Sequence, residues 1–164
     1  RNQDIEFNAR IQVEHPVTEA VTGIDLVRQQ IQLAAGEPLR LDSPRPLGTA
    51  IEARIYAEDP EANFVPCPGT IERCYIPGGP GIRVDSHLYA GYIVPRYYDP
   101  LLAKIIGWGR DRDEAINRLA GALEEFTLQG VKTTTALCAR IIRSDRFRRG
   151  DLTTDMLDQF LMRE

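Results

Sequence analysis

The sequence has few cysteines, a single tryptophan and no long apolar run, and these scarcities close off whole classes of explanation. Its three cysteines, Cys67, Cys74 and Cys138, are odd in number and include no C-x-x-C pair. Neither a disulfide framework nor a zinc site is suggested, and a reducing compartment, the cytoplasm, fits best. No apolar stretch approaches the roughly 20 residues that a membrane-spanning helix needs, so no membrane role and no signal peptide are expected. A basic excess is missing too: 20 Lys and Arg stand against 24 Asp and Glu, for a net charge of −4. That balance disfavours nucleic acid as a partner. The one basic cluster, Arg140, Arg143, Arg146, Arg148 and Arg149, falls near an expected helix end, where solvated cations are favoured. The chain also has no initiator methionine and opens inside a motif, so a piece of a longer protein is expected.

What is present is ordinary in bulk and unusual in pattern. The 164 residues are 43% hydrophobic and 27% charged, as in soluble globular domains. Residues 5–14 alternate without a break. Ile5, Phe7, Ala9, Ile11 and Val13 share one parity, and Glu6, Asn8, Arg10, Gln12 and Glu14 share the other. The period predicts a strand with one apolar and one polar face, closed by the stiff His15-Pro16 step. A helix follows, with Ile24, Val27, Ile31 and Ala34 on one side and Gly36 and Pro38 as its stop. Residues 40–48, with Pro44 and Pro46, read as a linker and main boundary.

Beyond the linker the chain turns to short strands. Residues 49–58 alternate, Ile51, Ala53 and Ile55 against Glu52, Arg54 and Tyr56. Residues 70–76 and 81–85 are candidate strands around the loop 77–80, a hairpin signal. Residues 101–108 form an apolar run that suits a more buried strand. Asp111 and Glu114 can form a capping box for a helix whose apolar face is Ile116, Leu119, Ala120, Leu123 and Phe126, with Gly130 as its stop. A further helix is predicted near Thr133 with Leu137 and Ile141, and a last short one over 155–162. Strands followed by helices imply an α+β fold, antiparallel strands with packed helices, rather than a βαβ repeat.

The polar face of the first strand carries the chemistry. Glu6 and Asn8 offer hard oxygen donors of the kind Mg²⁺ takes beside nucleotide phosphates. Arg10 offers a fork of donors that matches a planar anion. Gln12 can donate and accept, and Glu14 has the chemistry of a general base. Alternation alone is equally served by an amphipathic strand facing water. Likewise Arg54 by itself is most simply a surface ion-pair partner.

The identity and order of the residues go further. The run EFNARIQVEHPVTEAVTGIDLV (residues 6–27) resembles the signature of biotin carboxylases, ATP-grasp enzymes of the biotin-dependent carboxylases. The likeness continues in QLAAGEPL (32–39), AIEARIYAEDP (50–60), PGTIERCYIPGGPGIRVDSHLYAGYIVPRYYDPLLAKII (68–106) and GVKTT (130–134). The resemblance implies the end of an ATP-grasp domain over 1–39, a linker over 40–48, and the biotin carboxylase C-terminal domain over 49–164. It implies that Glu6 and Asn8 ligate the Mg²⁺ (or Mn²⁺) of ATP. Arg10, Gln12 and the backbone of Val13 are then implied to bind bicarbonate, Glu14 to deprotonate it, and Arg54 to steady biotin as its enolate.

The implied partners are a biotin carboxyl carrier protein or domain, a carboxyltransferase, the missing amino-terminal half of the enzyme, and a second copy in a homodimer. The role implied is the first half-reaction of an acyl-CoA carboxylase, as in fatty acid biosynthesis. The other class of reading is a non-catalytic scaffolding domain of the same descent. Phe7 stands where many members have methionine, and Pro80 where some have phenylalanine near a dimer contact. The run His15-Pro16-Val17-Thr18-Glu19 fits acyl-CoA carboxylases better than pyruvate carboxylases. The phosphate loop and lysines of the ATP-grasp half are not in the chain, so the chain alone is expected to be inactive.

Overall fold

The computed structural model describes residues 8–39, 41 and 44–161. Its centre is the apolar run, which forms the long strand β8 (Leu101–Gly109) in the middle of a three-stranded antiparallel sheet. The other strands are β1 (Thr49–Tyr56), β2 (Glu58–Asp59), β3 (Val65–Pro66), β4 (Gly69–Thr70), β5 (Arg73–Tyr75), β6 (Ile82–Ser86), β7 (Ile93–Val94) and β9 (Thr127–Gln129). The helices are α1 (His15–Thr22), α2 (Leu26–Ala34), α3 (Arg112–Glu125), α4 (Thr135–Arg143), α5 (Asp145–Arg149) and α6 (Met156–Leu161). The main sheet runs β1-β8-β6, and three two-stranded ribbons, β2-β3, β4-β7 and β5-β9, complete the strand pairing.

The alternation of β1 is the alternation of its environment. Ala53 and Ile55 face α3 with Ala103 and Ile105 of β8, and Leu119, Leu123 and Phe126 close the core from the helix side. A smaller core of Ala57, Ile71, Val94 and Leu102 sits at the end of the sheet. The opposite parity of β1 and β8, with Glu52, Arg54 and Lys104, lies on the face against which α1 packs. α3 begins as expected: Asp111 Oδ1 accepts from the Glu114 N–H at 2.8 Å. The Glu114 carboxylate, however, takes the Arg110 N–H at 2.7 Å rather than that of the cap residue.

Several expectations are corrected. Residues 8–14 are not a strand; residues 1–7, and Glu6 with them, lie outside the described residues. A strand needs a neighbour for its ladder, and among the described residues none pairs with this segment. Its backbone bonds are local instead: Arg10 N–H to Asn8 O, His15 N–H to Gln12 O, Val17 N–H to Glu14 O. The His15-Pro16 step opens a helix rather than closing a strand, because a proline in the first turn gives up an N–H that has no helical partner anyway. The helix expected over 24–34 is present as α2, but a separate helix that was not expected, α1, precedes it, and Gly23 in the left-handed conformation ends α1. β5 and β6 form no hairpin, since β5 pairs with β9 and β6 with β8. α3 stops at Glu125, not at Gly130, because Phe126 turns into the core and β9 follows. The basic cluster spans the last turns of α4 and α5, where Arg148 meets Asp113 and Asn117, and Arg146 meets Thr153 and Gln159.

Candidate active site

The turn that leads into α1 and the charged face of the sheet meet at one place. Glu14 occupies the cap position of α1, yet its side chain makes no capping bond. Its carboxylate turns to β1 and lies 3.3 Å from the Arg54 guanidinium. Arg54 also has Glu52 beside it, with Nε 3.4 Å from Glu52 Oε1. Burial works against the Arg54 charge, but Tyr56, Glu14 and Glu52 outweigh it, and the guanidinium pKa is raised.

Arg10, Gln12 and Asn8 join Glu14 on one wall of a cavity of about 440 Å³, whose opposite wall is α2 with Leu26, Gln29, Gln30 and Leu33. Arg10, Gln12 and Glu14 therefore share a concavity, though not on a strand, and Arg54 reaches the same carboxylate from the sheet. The Val13 carbonyl accepts from Lys104 Nζ at 3.2 Å. Glu6 falls outside the described residues. Among those described, no group of three His, Cys, Asp or Glu is placed to hold a metal ion, and Asn8 is exposed. The described residues do not fit a metal site by themselves.

A chain of charges lies beneath the turn and is absent from the sequence reading. Cross-strand register puts Lys104 between Arg54 on β1 and Asp85 on β6. Lys104 Nζ is 3.4 Å from Asp85 Oδ2, and Asp85 is gripped by Arg83 at 2.8 and 2.9 Å. Arg83 reaches Glu19 at 2.6 Å, and Glu19 Oε1 lies 3.1 Å from His15 Nδ1 and accepts the Leu26 N–H at 2.9 Å. Burial opposes the charges of Glu19 and Asp85, but their cationic partners prevail and both carboxyls are held below the usual range. One signal was available: Lys104 is the lone charge in a run that otherwise reads as a buried strand.

Glu52 is the other residue that sequence reasoning left aside. Its side chain is 4% exposed, and neither carboxylate oxygen has a hydrogen-bond partner among the described residues. Burial pushes its carboxyl above the usual range, beyond what Lys104 and Arg54 restore. The folded state thus binds this proton more tightly than the unfolded chain does. Its contribution is most favourable at low pH and is lost as pH rises from the ordinary carboxylate range through the raised folded value. Glu52→Gln is expected to gain about 1 kcal/mol near pH 8 and nothing near pH 4, a desolvation cost relieved only where the group is charged. Urea melts at both pH values check this, and a variant less stable than the parent at pH 8 would contradict it.

Comparison with known proteins bears on the family and the fold. The biotin carboxylase C-terminal domain family matches residues 52–159. The family described as carbamoyl-phosphate synthase L chain, ATP binding domain, matches residues 3–42. The chain is 50% identical to a pyruvate carboxylase subunit of Methanothermobacter thermautotrophicus over 95% of its length, and covers 32% of that protein. It is 49% identical to a biotin carboxylase of Nostoc over 94% of its length, and covers 35% of it. The chain therefore spans about a third of the length of the curated relatives it matches. The biotin carboxylase domain of Hydrogenobacter thermophilus 2-oxoglutarate carboxylase, solved with MgADP, ADP and bicarbonate, superposes with a TM-score of 0.91 at 49% identity. That match covers 93% of this chain and 34% of the solved one. On the family match, which takes in most of the described sheet and helices, the chain belongs to the biotin carboxylase C-terminal domain family.

Proposed function

We propose that the chain is the carboxy-terminal part of a biotin carboxylase and carries half of its active site. Residues 1–39 then end an ATP-grasp domain, 40–48 are a linker, and 49–164 form the C-terminal domain. The observation that carries the reading is the meeting of Glu14 with Arg54 at 3.3 Å, at the lip of the cavity bordered by Arg10 and Gln12. A base and an anion fork from one short segment meet a charge stabiliser 40 residues away in sequence.

In this reading Arg10, Gln12 and the Val13 backbone bind bicarbonate, whose planar shape suits the guanidinium fork. Glu14 takes the bicarbonate proton. ATP, held by sequence outside the described residues, supplies the phosphoryl group that activates bicarbonate. Arg54 faces the ureido oxygen of biotin presented by a carrier protein or domain, and offsets the negative charge that develops there. Glu6 and Asn8 contribute at most one edge of a Mg²⁺ or Mn²⁺ site, and no step is derived through the metal.

This half-reaction is indifferent to the final acceptor, which a separate carboxyltransferase selects. Relatives named for pyruvate and for 2-oxoglutarate stand at the same similarity as biotin carboxylases, so overall similarity does not favour the acyl-CoA acceptor that the His15–Glu19 run suggests. Pairing with a second copy and a cytoplasmic location belong to the same proposal; no helix among the described residues is long and apolar enough to cross a membrane.

The test is ATP- and bicarbonate-dependent carboxylation of biotin by the full polypeptide that carries this chain. Arg54→Ala is expected to lower turnover by about 10²-fold or more, the scale of removing one preorganised charge-stabilising donor. The 164-residue chain alone is expected to show no bicarbonate-dependent ATP hydrolysis. Near-normal turnover of the variant, or hydrolysis by the isolated chain, would overturn the assignment.

A further inference from the structure

The turn that presents Glu14 has no strand ladder to hold it, yet its base must face one direction. Two clasps flank it. On one side Lys104 Nζ donates to the Val13 carbonyl at 3.2 Å. On the other, Arg83 fixes Glu19 of α1 at 2.6 Å, and the Glu19 carboxylate lies 3.1 Å from His15 Nδ1 without a hydrogen bond to it. Both clasps trace back to Asp85, which binds Arg83 through both oxygens and sits 3.4 Å from Lys104. The ring of contacts closes around Glu14 and ties three strands to α1 and the turn before it.

Lys104 offsets part of the burial of the Glu52 carboxylate, and it alone of the ring also reaches the Val13 carbonyl. The Lys104 side chain is only 14% exposed, on a strand whose neighbours Leu102, Ala103, Ile105 and Ile106 are all buried. A buried cation in the central strand is costly for folding unless it is well partnered, and a hydrophobic residue of the same volume would usually serve the core as well or better. Its direct contacts among the described residues are the Asp85 carboxylate and the carbonyl adjacent to the candidate base, with the Glu52 carboxylate nearby as a third opposite charge. We infer that Lys104, steadied by Asp85, is a positioning residue: it holds the Val13 carbonyl and so aims Glu14 at the bicarbonate cavity and at Arg54. This inference rests on the proposed carboxylation. Misplacing a reacting group by about 1 Å costs on the order of 10²-fold in rate, so a clasp one residue away has leverage.

The test compares Lys104→Met, Lys104→Arg and Asp85→Asn in the full polypeptide, with Glu14→Gln as the control for the functional reading. Methionine keeps an unbranched apolar stem of nearly the same volume, one atom shorter, and removes the charge and the donor. Lys104→Met is expected to raise the KM for bicarbonate and lower kcat/KM by roughly 10-fold or more. Amide exchange at His15 and Val17, whose N–H groups bond Gln12 O at 3.2 Å and Glu14 O at 3.0 Å, is expected to quicken while the core of β8 stays protected. Lys104→Arg, which restores the charge and a donor, recovers part of both effects. Asp85→Asn moves both in the same direction by a smaller factor. Unchanged bicarbonate kinetics and exchange in Lys104→Met would overturn the inference. So would loss of protection throughout β8 with no rescue by arginine, which marks a folding role alone. If Glu14→Gln carboxylates normally, the functional reading fails, and the exchange at His15 and Val17 still decides whether Lys104 holds the turn.

Discussion

Glu14→Gln in the full polypeptide is expected to lower biotin carboxylation by about 10²- to 10⁴-fold, the range that a positioned general base supplies. The side chain sits at the helix cap position but caps nothing, so its carboxylate is not committed to holding α1. It is half exposed and, among the described residues, ion-paired only with Arg54, itself 38% exposed. Such a pair is worth about 0–1 kcal/mol, so replacing the carboxylate by an amide of the same size leaves the melting temperature nearly unchanged. The signature is therefore a loss of activity without a loss of fold. kcat and kcat/KM should fall together, because the amide can occupy the place of the carboxylate but cannot accept the proton in the transition state. Activity within a few-fold of the parent, in protein of unaltered stability, would remove Glu14 from the role of base and the functional reading with it.

The parts of the fold that were legible in the sequence are those where one residue period coincides with one packing environment. β1 alternates because α3 covers one face and the turn before α1 meets the other. β8 reads as an apolar run because both its faces are covered and both its neighbours are strands. Asp111 and Glu114 announce α3 through a local bond that needs nothing distant. Residues 8–14 misled for the complementary reason: alternation describes a strand's faces, but a strand also requires a partner, and pairing is not a local property. The same limit hid the clasp, since Lys104 and the Val13 carbonyl it holds lie 91 positions apart, and Arg83 and Glu19 lie 64 apart.

The candidate site was legible in its residue types and not in its geometry. Arg10, Gln12 and Glu14 were grouped on one strand face, and they do border one cavity, but a turn rather than a pleat brings them there. Arg54 was assigned by resemblance alone, and its contact with Glu14 follows from tertiary packing of α1 on β1. Glu52 shares a parity with Arg54 and so was visible as a neighbour. Its burial was not, because alternation says which face a residue is on and nothing about what covers that face.

The largest effect on stability is expected at Gly107, where Val should cost about 3 kcal/mol and lower the melting temperature by roughly 6–12 °C. Gly107 lies in the middle of β8, opposite Ile51 of β1 and Ile82 of β6. A Cβ placed there would come within 2.7 Å of the Leu119 Cβ, 2.9 Å of the Ala115 carbonyl oxygen and 3.0 Å of the Leu119 backbone nitrogen. Two of those atoms are helix backbone, so no rotamer change relieves the clash, and α3 must lift from the sheet. Lifting it opens the core made by Leu119, Leu123 and Ile105. Gly121, within the same helix, has open space around its would-be Cβ. Gly121→Ala is therefore expected to stabilise by about 0.5–1 kcal/mol through helix propensity alone. The pair separates close approach from backbone freedom as the reason for a glycine: thermal melts should move in opposite directions, and a Gly107→Val protein that melts within a few degrees of the parent would show that α3 can retreat without loss. Because Lys104 lies three residues from Gly107 on the same strand, a partial retreat of α3 should also disturb the turn at Glu14. In the full polypeptide, carboxylation by any folded fraction of Gly107→Val should then fall below what its folded population alone accounts for.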